Sequence, residues 1–126
     1  MNNEPITTPD DAAEYLVVSH HVSDHLEAPG ATDAVFAASP EGLAVIDELV
    51  ARRVVPSIGL WHFGFRYLAW LGGYVGRVLV KQGGTWQLTD EVTECTVETA
   101  NGVVDPFVVA WEALNLGKPL PTVLES

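Results

Sequence analysis

A chain of 126 residues, 48% of them apolar and with a mean hydropathy of +0.19, has the size of one ordinary domain and enough apolar side chain for a core, which excludes global disorder. Its net charge of −11, from six Lys and Arg against seventeen Asp and Glu, speaks against nucleic acid and against anionic membrane surfaces, both of which select cationic groups. The single cysteine, Cys95, excludes an internal disulfide, and the opening MNNEPITTPDD lacks the basic and apolar regions of a secretory signal, so cytoplasmic residence is the expectation.

One domain covering residues 1–126 is expected, its polar first stretch, Met1 to Thr7, being flexible. Thr8-Pro9-Asp10-Asp11 then carries a capping hydroxyl, a proline suited to the first helical position, and two acids at the positive end of the helix dipole. The helix it starts is predicted to run to about Glu27, with Ala12, Tyr15, Leu16, Ser19, Val22 and Leu26 on one face and Pro29-Gly30 as its end. A short helical turn is predicted over Ala34 to Ala38, started by Thr32-Asp33. Ser39-Pro40-Glu41 repeats the cap-plus-proline signal, Leu43, Ile46, Leu49, Val50 and Arg53 continue the helix, and Val54-Val55-Pro56 closes it.

The longest helix is predicted from about Leu60 to Gln82, with Phe63, Tyr67, Trp70, Leu71, Tyr74, Val78 and Leu79 in a wide apolar band. A helix apolar on most sides belongs at the centre of the fold. The run is just long enough to span a bilayer, but Arg66 and Arg77 within it are costly there, so a buried helix is the expectation. Gly83-Gly84 ends it. Thr85 to Leu88 and the alternating Val92 to Thr99 read as strands, Asn101-Gly102 as a tight turn, and Val103-Val104 as a short returning strand. Asp105-Pro106 starts the last helix, which points Phe107, Ala110, Trp111 and Leu114 inward and stops at Gly117. The expected class is α+β: three N-terminal helices with a long central third helix, a small antiparallel β-meander, and a C-terminal helix.

Chemistry-bearing clusters are few. His21 and His25 lie four apart on the first helix and can chelate a transition metal; His20 and Asp24 form a second pair at that spacing. A closed zinc site needs about four ligands, so others would have to come from elsewhere, and His62 is the remaining histidine. The competing reading is a solvated helix face with histidines beside Asp24 and Glu27. Cys95 has no local histidine or helix N-terminus to activate it and reads as a small core residue. Neither Ser39 nor Ser57 sits in a G-x-S-x-G elbow, and the pairs Asp90-Glu91 and Glu94/Glu98 read as surface acids. No catalytic residue and no cofactor is therefore assigned.

The glycines of LGGYVGRVLVKQGGTWQL, residues 71–88, match neither the P-loop nor the dinucleotide fingerprint, and they lie within and after a helix rather than before one. Gly72 with Gly76, and Ala69 with Gly73, instead make a small-residue groove along one side of the helix, suited to close packing. Gly73-Tyr74-Val75-Gly76, Val78-Leu79, Gly83-Gly84-Thr85-Trp86, Pro106-Phe107 and Ala113-Leu114 with Gly117 together resemble an uncharacterised bacterial small-domain family. Its members carry a G-A-Y-L-G-E-V-like helix followed by G-G-x-W. The resemblance covers about half the chain, roughly Trp70 to Leu120, and Arg77 stands where the family has an acid. It implies an α+β fold around a glycine-bearing helix and implies no activity.

The reading that best fits small size, acidity and the lack of a catalytic constellation is a non-enzymatic binding or regulatory protein. Its specific form is an inhibitor or immunity-type protein that masks a basic protein partner. One alternative is a structural subunit of a larger assembly, which Trp61, Trp70, Trp86 and Trp111 would serve. The other is a small metal-binding protein using His20, His21 and His25. The oligomeric state is left open.

Overall fold

The computed structural model describes residues 8–18, 22, 24, 26, 30–52 and 61–125, of which 61–67 and 125 are described by backbone alone. Its fold is α+β. The helices are α1 (Pro9–Val18), α2 (Ala31–Phe36), α3 (Pro40–Ala51), α4 (Trp61–Lys81) and α5 (Pro106–Leu116). The strands β1 (Thr85–Gln87), β2 (Thr96–Thr99) and β3 (Gly102–Val104) form one antiparallel sheet in the order β1-β2-β3. Two 3-10 turns, Val92–Glu94 and Leu120–Glu125, complete the described structure.

All three cap-plus-proline signals start helices. The Thr8 hydroxyl accepts from the Asp11 N–H at 3.1 Å ahead of Pro9. Ser39 accepts from the Gly42 N–H and also donates to the Ala34 carbonyl, so one hydroxyl closes α2 and opens α3. Asp105 accepts from the Phe107 and Val108 N–H groups. Each cap satisfies amides that the helix itself leaves without partners, a contribution of about 1 kcal/mol.

α4 is the central element. Every residue from Leu71 to Gly76 is buried, so no side of the helix faces water there. α1 and α5 pack along it, and the sheet closes over its C-terminal half. Its end is a Schellman motif: Gly84 N–H donates to the Leu79 carbonyl, and Gly83 N–H to that of Val80. Gly83 has φ +106°, which favours glycine. The core gathers Leu16 and Val17 of α1, Leu43 and Ile46 of α3, Leu71, Tyr74, Val75 and Val78 of α4, Val97 of β2 and Leu114 of α5. A Val or Leu side chain so buried contributes roughly 1.5–3 kcal/mol of transfer free energy.

Several local expectations are corrected. α2 begins at Ala31, with Gly30 in the left-handed region as its N-cap, rather than after Asp33. Val92–Glu94 forms a 3-10 turn although its pattern alternates; Cys95 N–H bonds back to the Val92 carbonyl, which tightens the chain and delays β2 to Thr96. The two-residue loop between β2 and β3 is Ala100-Asn101, because Thr99 pairs with Gly102, so the turn lies one residue before Asn-Gly. Trp111, expected inward, is 45% exposed; the core side of α5 is filled by Phe107, Ala110, Ala113 and Leu114. The first helix is described as far as Val18, and the stretch expected to reach Glu27 lies largely outside the described residues.

Candidate functional site

His20, His21 and His25, the expected metal ligands, lie outside the described residues, as does the side chain of His62. Among the described residues no three His, Cys, Asp or Glu side chains come together in a way that could hold a metal ion. Cys95 is buried. Its sulfur accepts from the Thr89 N–H at 3.3 Å and lies 3.5 Å from the Glu91 carbonyl. Those contacts fold the β1–β2 loop around the thiol, which is consistent with a packing role. Asp90, Glu91, Glu94 and Glu98 are all exposed.

The glycine stripe on α4 is closely packed against its neighbours. A methyl group at Gly72 would overlap the Phe107 ring, and one at Gly76 would overlap the Trp86 indole. At Gly73 it would meet the Pro9 carbonyl oxygen and lie 3.0 Å from the Ala13 nitrogen. The stripe therefore receives two aromatic rings on one flank and the backbone of α1 on the other. Trp86 and Phe107 also lean on one another, with centroids 6.5 Å apart. The small-residue groove is occupied by the protein itself, and no ligand can lie in it.

Arg77 continues the α1 flank. Its Nε donates to Asp10 Oδ1 at 2.9 Å, one terminal nitrogen to Glu14 Oε1 at 3.3 Å, and the other to the Asp10 carbonyl at 3.0 Å. Burial works against the guanidinium charge, but the Asp10 and Glu14 carboxylates outweigh it and hold Arg77 more firmly protonated than usual. One turn earlier on the neighbouring face of α4, the Tyr74 hydroxyl donates to the Val35 carbonyl at 2.9 Å. Burial pushes its phenol well above the ordinary range, an effect the Arg77 charge offsets only in part. These partners escaped the sequence reading. An arginine in an apolar run is a demand for acids, and Asp10 with Glu14, four apart on a helix, was the signal that could have answered Arg77.

Among the described residues there is also an open cleft of about 360 Å³ between the end of α4, the β2–β3 turn and the C-terminal 3-10 turn. Leu79 and Val123 are its buried wall, and Val104 is part-buried; Gln82, Thr99 and Asn101 supply polar groups. The C-terminal turn is tied to α3 by the Leu120 N–H, which donates to Asp47 Oδ1 at 2.8 Å. None of the described lining residues is charged. The volume lies near the lower bound of small-molecule pockets, and its described lining residues supply no acid–base pair. Among the described residues no helix is long and apolar enough to cross a membrane. Comparison with protein-family models, with curated proteins and with solved structures found no match to the chain.

Proposed function

We propose that the chain is a non-enzymatic acidic binding protein that docks on a basic protein partner, acting as an inhibitor or immunity-type protein. The observation that carries this reading is the charge of −11 together with where its acids lie. Asp10, Asp11 and Glu14 on α1, and Asp90, Glu91, Glu94 and Glu98 around β2, are exposed, while Arg77 is committed to α1. Such a surface raises the encounter rate with a cationic partner and repels nucleic acid. The part of the resemblance around α4 adds no activity, in keeping with a binding role. The test is capture by the tagged chain from its native host at low salt. The captured protein is then purified and its binding measured from about 50 to 300 mM salt, over which the Debye length falls about 2.5-fold. A basic protein whose affinity falls steeply with salt supports the reading; recovery of no basic protein at low salt overturns it.

A second reading, a structural subunit of a larger assembly, is favoured by one specific observation. Val108, Trp111 and Leu116 are large apolar side chains left exposed on α5. Sedimentation of the purified chain separates the two: a stable oligomer supports the subunit, a monomer the docking protein.

A further inference from the structure

We infer that the exposed face of α1 docks an arginine presented by a basic protein partner, its guanidinium lying on the Tyr15 ring beside the Asp11 and Glu14 carboxylates. The inference rests on the docking reading above and assigns it a place. α1 has two unlike faces. Pro9, Ala12, Ala13, Leu16 and Val17 are buried, whereas Asp11, Glu14, Tyr15 and Val18 are exposed. Those four follow one another at helical spacing, so they share one stripe, acidic toward its N-terminal end and apolar toward its C-terminal end. The Tyr15 ring stacks on the part-buried Trp70 of α4, with centroids 5.9 Å apart and planes 18° from parallel. It is nevertheless 48% exposed, so one face of the ring is held against the protein and the other is open.

The stripe selects a cation, and arginine among cations. The open face of an aromatic ring is the negative side of its quadrupole, which attracts a cation and repels an anion. Asp11 lies one turn before Tyr15, within reach of a group resting on the ring. α1 carries three carboxylates, Asp10, Asp11 and Glu14, and no Lys or Arg. Arg77, bonded to Asp10 and Glu14, and about half a charge from the helix N-terminus offset them only in part, so the face stays anionic. A planar guanidinium can stack on the ring and still turn its edge N–H groups to a carboxylate, which a compact ammonium cannot do at once. Val18 adds an apolar contact for the residue beside the arginine. The stack on Trp70 holds Tyr15 in place, so little rotamer freedom is lost on docking. The exposed apolar residues of α5 make no such choice: Glu112, the acid among them, is paired with Lys118 at 3.6 Å.

The test uses the full chain and capped peptides Ala-X-Leu-Ala, with X arginine, lysine or citrulline, titrated at about 150 mM salt and followed by amide chemical shifts. Citrulline keeps the shape of arginine and removes its charge. The arginine peptide should give saturable shifts at Asp11, Glu14, Tyr15 and Val18, and should bind more tightly than the lysine peptide and at least about fivefold more tightly than the citrulline peptide. Tyr15→Leu keeps an apolar, helix-compatible side chain at an exposed position and removes the ring; it should weaken arginine binding about two- to fivefold. Asp11→Asn should weaken it about twofold or more. Glu98→Gln makes the same change in net charge on β2 and should leave binding within about 1.5-fold. Citrulline or lysine binding as tightly as arginine, equal weakening by Asp11→Asn and Glu98→Gln, full binding by Tyr15→Leu, or no shift on α1 overturns the inference. Shifts confined to residues 90–98 overturn it while leaving the basic-partner reading intact. Arginine-selective binding on α1 without a captured basic protein sustains the site and overturns that reading.

Discussion

The two flanks of the α4 glycine stripe do the same thing by different means. On one, Gly73 lets the α1 backbone come within reach of the α4 backbone; on the other, Gly72 and Gly76 are notches for the rings of Phe107 and Trp86. Backbone cannot retreat without moving a helix, whereas a ring can be replaced by a smaller side chain. Glycine spacing alone does not reveal this difference, because the spacing is the same and the neighbours come from opposite ends of the chain.

The comparison can be broken by adding one methyl group at a time. Gly73→Ala is expected to have the largest effect, a loss of about 3 kcal/mol or failure to fold, since its new methyl meets the Pro9 carbonyl. Truncating α1 side chains should not restore it, and denaturant unfolding of the single and double variants checks this. Gly76→Ala should cost about 2 kcal/mol but couple to its ring: in a cycle with Trp86→Leu the two losses should fall short of additive by at least about 1 kcal/mol. Additive losses would mean that the ring flank is as rigid as the backbone flank.

The side of α4 away from the stripe gives a smaller effect of another kind. Tyr74→Phe should cost about 1 kcal/mol by removing the buried hydroxyl's bond to the Val35 carbonyl, which keeps only the Ala38 N–H. Burial raises the phenol's pKa in the folded state above its unfolded value, so the unfolded chain loses its proton first. The native protein should therefore be at full strength below about pH 10 and lose stability as pH rises beyond it, and Tyr74→Phe should flatten part of that alkaline loss. Thermal unfolding across pH 8 to 11 would show it. Smallest is Arg77→Ala. Asp10 and Glu14 are exposed partners, so solvent screening holds the loss to about 0.5–1 kcal/mol, shrinking in salt. A loss as large as that of Gly73→Ala would make the ion pairs, and not the close backbone approach, the seat of α1 docking.

What could be read from the sequence was what short-range chemistry decides. Thr8-Pro9, Ser39-Pro40 and Asp105-Pro106 start helices because a cap and its amide lie within three residues, and Gly83-Gly84 ends α4 for the same local reason. The class and order of elements followed from these signals and from periodicity. Val92 to Glu94 misled because its alternation is genuine but its backbone answers to Cys95 and the thiol's contacts with the Thr89 loop. Trp111 misled because an almost wholly apolar helix leaves its inward face undetermined by periodicity. The cleft was invisible in the sequence, since its walls come from segments of α3, α4, the β-turn and the C-terminal turn that share no motif. His21 and His25 remain a sequence expectation beyond the described residues.

The bond from Leu120 to Asp47 also orders events in time. It joins residues 73 apart, so the wall it anchors is the last of the cleft's segments to leave the ribosome. During synthesis α3 and α4 can pack while the Asp47 carboxylate still faces water, and the recess gains its final side only when the C-terminal turn arrives. A nascent chain stalled before Leu120 would thus display its acidic surface and its central helix without the cleft. The recess is complete only once that turn has packed.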